Sequence, residues 1–435
     1  MALAWPIAMN AILLQAIVII DITLVAPLGE VSVAALGLAS SLVGIALGVL
    51  FALSNGTQIL LAQAYGANNT RAFRSAFWCG LVINIVSFCL FAVLALAFGP
   101  MLLDSLATTA QMGALAWDYT RVFLLVLAGV ALSQNCTVLF NAIGNSRIPF
   151  YSNLLELPIN AIISYALING AFGFPELGLE GAAWGSAVAV CIRTVFLGLF
   201  LIHQKSDVFA GSGELFKQFR KQVSHHWLHA WPVAATFITL SLSMSLCMMM
   251  YASLPVHEFA ALTILMLWIR IAGLVVTAWA QATSILIGQL LGKSQNALLD
   301  EFLNRVWRLS FVLAGVVAGI NLCSSFGFPS IYPELQSTTL DVLAALAPMF
   351  VVLPLLRSSN VMCGNVLRAG GDAGYAFRIH IYTQCLFTLP VSAFFVFYLK
   401  LNVLWVFSIL LAEEVIKAFP FHKRIRSGIW KRQLQ

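Results

Sequence analysis

Twelve stretches of this chain stay predominantly apolar for about 20 residues or more, and nothing else in the sequence narrows its possible folds so far. They run over about 3–28, 33–64, 73–98, 117–142, 149–171, 177–203, 228–253, 259–291, 304–328, 341–366, 376–398 and 401–422. A helix rises about 1.5 Å per residue and the hydrocarbon core of a bilayer is roughly 30 Å thick, so each stretch has the length of one crossing. Inside lipid the backbone must satisfy its own hydrogen bonds, which leaves helices or a closed barrel. The alternation of lipid-facing strands is missing, so the expectation is an all-α membrane protein with twelve transmembrane helices. Apolar residues at 61% and charged residues at 9% lie far from the roughly 45–50% and 25% of soluble domains. The chain begins apolar at Ala2 without a basic segment or a small-residue cleavage site, so the first run reads as a span rather than a removable signal.

Charge at the ends of the runs gives an orientation. Arg71, Arg74, Arg147, Lys205, Lys217, Lys293, Arg305, Arg368, Arg378 and the tail from Lys423 to Arg432 fall on one side. Only Arg121 and Lys400 lie near the other, which holds Glu30, Asp104, Asp118, Glu176, Glu180, Glu258, Glu334 and Asp341. Cytoplasmic loops are the basic ones, so both termini are expected in the cytoplasm. The net charge of +6 is this bias, and no nucleic-acid partner is expected. The eight cysteines form no CxxC pair and read as buried, reduced thiols.

The chain matches itself at one offset. Trp5-Pro6 falls on Trp231-Pro232, and SNGTQILLAQAYG (54–66) falls on AQATSILIGQLLG (280–292), both displaced by 226 positions. NAIGNS around Gly144 and LRAGGD around Gly371 are displaced by 227. Six helices per repeat, an even number, give two six-helix bundles in one orientation, a parallel repeat with a central cleft. The expected organisation is an N-lobe over 1–203, a cytoplasmic linker over 204–227, and a C-lobe with a basic tail over 228–435.

Asp21 sits in the middle of AIVIIDITLVAPLG, and its repeat partner is Cys247, so the fold itself does not demand the carboxylate. A charged group inside a span costs at least about 2.5–3.5 kcal/mol, which makes it a functional candidate. Asn10 lies eleven residues earlier, three turns back, on the same face. Further intramembrane charges are Glu156 and Arg193 in the first half and Arg270, Arg357, Glu413, Glu414 and Lys417 in the second. Arg357 and Glu413 are at similar depth and are expected to pair, as a structural bridge or as a substrate or ion contact. His225, His226 and His229 include an i, i+4 pair but no acidic third ligand, and no metal site is expected. HExxH, GxSxG and Walker patterns are absent, so no enzyme is expected. GIALG (44–48), GAAWG (181–185) and GVVAG (315–319) read as helix-packing seams. MSLCMMMY (244–251) and eleven tryptophans offer soft, flat surfaces for bulky apolar cations.

The whole chain resembles the multidrug and toxic compound extrusion (MATE) family. The resemblance rests on IVIIDITLVAPLG, ILLAQAYGANN, LFNAIGNSRIPF, NAIISYALINGAFGFPELGLEGAAWGSA and NVLRAGGD, and is strongest to the NorM-like bacterial branch. It implies twelve helices in two lobes forming a V in a bacterial inner membrane, exporting drugs or toxic organic cations in exchange for protons or sodium. It also implies that Asp21 is the coupling carboxylate, Asn160 its partner on helix 5, and Ser186 a neighbour on helix 6. Ser164 stands where some relatives have a second carboxylate. Leu240 and Arg357 stand where sodium-linked relatives carry acids, which favours proton coupling, with sodium as the alternative. The expected partners are small-molecule drugs and membrane lipids, the expected state is a monomer, and no cofactor beyond the coupling ion is expected. A lipid-precursor flippase is a further alternative, for which only Arg270 and Arg357 supply basic residues in the cleft.

Overall fold

The computed structural model describes residues 3–204, 208–209, 219–333 and 335–434, and among these there are twelve long helices and no strand. They are α1 (Ala4–Val25), α2 (Glu30–Gly66), α3 (Thr70–Leu106), α4 (Ala110–Ala142), α5 (Arg147–Asn169), α6 (Leu179–Gln204), α7 (Phe219–Tyr251), α8 (Val256–Gly292), α9 (Asn296–Ile331), α10 (Ser337–Ala369), α11 (Ala373–Tyr398) and α12 (Val403–Arg426). The α11 helix widens into π-helical geometry at Gln384–Thr388 and Phe394–Tyr398.

Each apolar run lies in its own helix, but several helices outlast their runs. The α2, α3 and α8 helices have 37 residues each, about 55 Å at 1.5 Å per residue, so they continue well past a 30 Å hydrocarbon layer. Ten of the twelve are long and apolar enough to cross a membrane on length and composition. The α5 and α12 helices fall short because their polar residues are spent inward: Asn153, Glu156, Asn160 and Ser164 on one, Glu413, Glu414 and Lys417 on the other, all buried.

The internal repeat reaches the backbone. After α2 and after α8 the chain turns through a left-handed residue, Asn68 (φ +56°) and Ser294 (φ +58°), 226 positions apart. Gly144 (φ +90°) and Gly371 (φ +80°) do the same after α4 and α10. In each turn the amide of the following residue reaches back five positions, as in Asn69 to the Ala64 carbonyl at 3.0 Å and Gln295 to Leu290 at 3.1 Å. This is the Schellman closure, which satisfies carbonyls that a helix end leaves open. Asn69 also caps α3, its side chain accepting from the Ala72 amide at 3.0 Å.

The chain divides into two compact units, Met1–Ala234 and Ala235–Leu434. The expected linker is corrected here. Residues 219–227 are already helical, and the division falls inside α7, while 205–207 and 210–218 lie outside the described residues. The first turns of α7 stay with the first unit because they are tied to it. His226, 3% exposed, shares a 2.9 Å hydrogen bond with Thr57 of α2, and Ser75 of α3 donates to Gln222 at 2.9 Å. Gly56 of α2 lies so close to α7 that a methyl group there would sit 2.7 Å from Ala230 Cα.

The core of the first unit is aliphatic, with Leu36, Leu50, Leu127 and Val130 among its most buried side chains. In the second unit Leu265, Leu346, Phe350 and Phe407 play that part. Of the three expected packing seams, Gly181 and Gly185 press backbone to backbone on α5, whereas Gly44, Gly315 and Gly319 meet nothing within 4 Å. Cys79, Cys247 and Cys363 are buried, but Cys89, Cys191, Cys323 and Cys385 lie on exposed helix faces, where apolar surroundings can be supplied by lipid instead of protein.

The basic tail is folded onto the second unit. Trp430 is fully buried over Gly370, Arg424 donates to Asp372 at 2.6 Å and stacks over Tyr375, and Lys431 reaches Asp300 at 2.6 Å. The Asp372 carboxylate holds the Arg424 guanidinium above its ordinary range.

Candidate functional site

The polar residues of the first unit form two layers between α1, α5 and α6. Both begin from helical spacing: Pro6, Ile7, Asn10, Leu13, Asp21 and Val25 are the buried residues of α1, and they lie on one face. Asn10 and Asp21, eleven residues apart, are therefore separated by about 16 Å along that face. On α5 the buried residues Ser152, Asn153, Glu156, Asn160 and Ser164 repeat every three or four positions and present a polar stripe to it.

The layer nearer the Lys/Arg-rich end is an ion-pair network. Arg193 of α6 contacts Glu156 of α5 at 2.9 Å, donates to Ser133 of α4 at 2.6 Å and to Asn153 Oδ1 at 3.4 Å. Asn153 in turn donates to Asn10 Oδ1 at 3.2 Å. Asn10 thus belongs to this network and stands a layer away from Asp21. Arg193, Ser133 and Asn153 together fasten four helices, and all are buried.

The second layer contains Asp21. It is 9% exposed, and the side chains of Asn160 and Ser186 face its carboxyl. Asn160 donates one N–H to Ser186 Oγ at 2.8 Å, which leaves its second N–H and the Ser186 hydroxyl hydrogen as the donors beside the Asp21 carboxyl. Two buried acceptors remain with no donor, Asp21 Oδ1 and Asn160 Oδ1. Among the described residues Asp21 makes no ion pair, and the nearest charge acting on it is Glu156, which is already matched to Arg193. Tyr119 of α4, 3% exposed, lies within electrostatic reach of Asp21. Ser164 stands just outside this layer, its hydroxyl turned to the Ala182 carbonyl at 3.5 Å. Gly185 makes the layer possible, since a side chain there would collide with Ser164, reaching its amide nitrogen at 2.6 Å.

In the second unit the expected pairing of Arg357 with Glu413 is corrected. Glu413 is bound by Lys417 at 2.8 Å, Gln384 at 2.7 Å and Thr388 at 3.0 Å. Lys417 also contacts Glu414 at 3.2 Å. A lysine three and four positions on reaches both carboxylates along one helix, so no arginine has to cross from α10. Arg357 is exposed and lines a small cavity with Ile269, Val276, Asn321 and Leu353, and Arg270 is exposed as well. Neither makes an ion pair among the described residues. The spacing of Glu413, Glu414 and Lys417 was the readable signal for the true arrangement; Gln384, Thr388 and Asn360 carried none. His225 and His229 meet edge to face with ring centroids 4.9 Å apart, and no group of three or more His, Cys, Asp or Glu that could hold a metal converges among the described residues.

The profile of the family described as MatE matches residues 6–166 and 232–401, about three quarters of the sequence. The chain belongs to the MatE family. The two matches begin 226 positions apart, at the repeat offset found in the sequence, so the family pattern occurs once in each half. The chain is 23% identical over 440 residues to the uncharacterized transporter YisQ of Bacillus subtilis (strain 168), covering 99% of this chain and 94% of that protein. It is 29% identical over 244 residues to the probable multidrug resistance protein NorM of Bradyrhizobium diazoefficiens, covering 56% of this chain and 50% of that one. In fold it is similar to the crystal structure of the eukaryotic MATE transporter AtDTX14, with a TM-score of 0.85, 19% identity, and 100% and 96% of the two chains covered. This is a multi-pass membrane transporter of a multidrug efflux family, with NorM proteins among its relatives. Its α6 and α12 helices lie beyond the matched segments, so Ser186, Arg193, Glu413, Glu414 and Lys417 are additions to the part that the profile describes.

Proposed function

We propose that this MatE-family member is an exporter of organic, cationic amphipathic compounds, driven by protons that bind at Asp21. The observation that carries the reading is the pair of buried acceptors without a donor, Asp21 Oδ1 and Asn160 Oδ1, in a layer that has no counter-charge of its own. A hydrogen on the Asp21 carboxyl adds a donor to a layer in which two buried acceptors have none. Losing that hydrogen leaves a carboxylate inside a span, where it is costly. The layer therefore favours one packing when Asp21 is protonated and another when it is ionised, and an exporter needs that bias to couple ion and substrate binding. Carboxyl, amide and hydroxyl oxygens together also suit a sodium ion, which keeps sodium coupling as the second reading. The basic loops support a reading with both termini in the cytoplasm of a bacterial inner membrane.

The test is transport of a fluorescent cation in proteoliposomes under separately imposed proton and sodium gradients. A pH gradient alone is expected to drive uptake in the wild type and to fail in Asp21→Asn. Uptake driven by sodium alone would establish the second reading, and full pH-driven transport by Asp21→Asn would remove Asp21 from the coupling step.

A further inference from the structure

The second unit carries a cation that nothing within it balances. Arg357 stands four residues, about 6 Å, beyond Leu353, the midpoint of α10, and so lies deep within the crossing. It is exposed, and among the described residues it makes no ion pair. A guanidinium inside a span is costly, and its default meaning is a contact with a ligand or an ion. Snorkelling answers for arginines near helix ends, whereas Arg357 is close to the helix middle.

The same residue lines a cavity of about 40 Å³ between α8, α9 and α10, walled entirely by the second unit. One water needs roughly 10–15 Å³, so the space takes the few heavy atoms of a charged head group and not a whole drug. Most of the remaining wall is apolar, with Ile269 and Val276 on α8, Val317 on α9 and Leu353 on α10. Two local features shape it. Gly273 of α8 belongs to the wall, and a Cβ there would meet nothing within 4 Å, so no close backbone contact accounts for a glycine in this helix interior. Pro354 of α10 has no N–H, which takes the helical donor away from the Phe350 carbonyl four residues earlier. Buried Asn321 of α9 replaces that donor through Nδ2 at 3.1 Å, so a side chain ties α9 to the break one turn before Arg357.

The charge decides what fits. A metal or an organic cation is repelled by the guanidinium, and water solvates it without neutralising it. A doubly charged phosphate would leave one negative charge in excess inside the span. A carboxylate cancels Arg357 one for one, and its two oxygens match the guanidinium fork. An apolar body attached to that carboxylate finds the aliphatic wall.

We infer that the cavity between α8, α9 and α10 binds the carboxylate of an amphipathic organic acid, with Arg357 as its counter-ion. The acid comes from solution, as an aromatic carboxylate, or from the bilayer, as a fatty acid; both present the same head group. The assignment concerns the second unit alone and does not rest on proton binding at Asp21.

Equilibrium binding of radiolabelled 1-naphthoate and laurate to the full chain in nanodiscs of neutral lipid tests it, with uncharged 1-naphthamide as competitor. Saturable binding of at least one acid, one per chain, is expected, with no displacement by the amide at equal concentration. Arg357→Gln should weaken it about tenfold or more, the loss of a charge-assisted hydrogen bond, and Arg357→Lys should restore part of the affinity. Gly273→Leu fills the cavity while leaving Arg357 in place and should weaken binding as well, which keeps the test open should Arg357→Gln fold poorly. Binding of 1-naphthoate identifies a solute, and binding of laurate alone identifies the bilayer as the source. No saturable binding of either acid, unchanged affinity in Arg357→Gln or in Gly273→Leu, or equal displacement by 1-naphthamide would overturn the assignment. The readout is binding rather than transport, so a failure of the Asp21 reading leaves its result untouched.

Discussion

Replacing Arg193 by methionine should be among the most damaging single changes in the first unit. The guanidinium is 3% exposed and is the partner of Glu156 at 2.9 Å, with further contacts to Ser133 at 2.6 Å and Asn153 at 3.4 Å. Methionine fills much of the same volume, so the cost is electrical: Glu156, 4% exposed, loses its partner in the pair. Removing one partner of a buried pair typically costs about 3–5 kcal/mol, while replacing both by neutral groups of similar shape is often close to neutral. At about 2–4 °C per kcal/mol for a domain of 150–250 residues, Arg193→Met should lower the unfolding midpoint by roughly 6–20 °C. The Glu156→Gln/Arg193→Met double variant should recover most of that loss. Thermal unfolding of the purified full chain in detergent measures all three proteins. The reasoning fails if Arg193→Met lies within about 1 kcal/mol of wild type, or if the double variant is no more stable than the single.

Two further substitutions probe close backbone contacts. Gly185→Ala places a methyl group 2.7 Å from Ser164 Cα, so α6 must move off α5. Overpacking of this kind costs about 1–3 kcal/mol, and a thermal midpoint unchanged from wild type would contradict it. Because Ser186 is the next residue, transport is expected to fall by more than the stability loss accounts for. Gly370→Ala drives a methyl group into Trp430, so the tail should lift from the second unit; limited proteolysis should then cut between Arg424 and Arg432 faster than in wild type, with equal rates refuting the contact.

The crossings were legible because they depend on a local property, the length of an apolar run against the thickness of lipid. Helix ends were not, since Glu30 and Asp104 continue their helices beyond the hydrocarbon, where composition no longer constrains them. Asp21 stood out as a charge without a repeat partner, whereas Asn160 and Ser186 came only from the family resemblance, because amides and hydroxyls in spans are common. The misplaced pairing of Arg357 with Glu413 has a geometric cause. Sequence gives a residue's depth along a helix, but not which helix its side chain turns towards, and Lys417 was nearer. The glycine seams divide for the same reason: GAAWG and GVVAG read alike, yet only Gly181 and Gly185 have a neighbouring helix to touch.

Where the acids stand determines what can drive transport. If Asp21 alone carries a proton against one monovalent cation, no net charge crosses the membrane. One pH unit then supplies about 1.4 kcal/mol, enough for a tenfold cation gradient. If a second proton crosses as well, one net charge moves inward per cation exported, and a potential of 100 mV adds about 2.3 kcal/mol to two proton contributions. The sustainable gradient rises to several thousandfold. Cation export by the wild type should then accelerate under an imposed potential at constant pH. Export that responds to pH but not to an imposed potential would leave the exchange at one proton per cation, carried at Asp21 alone.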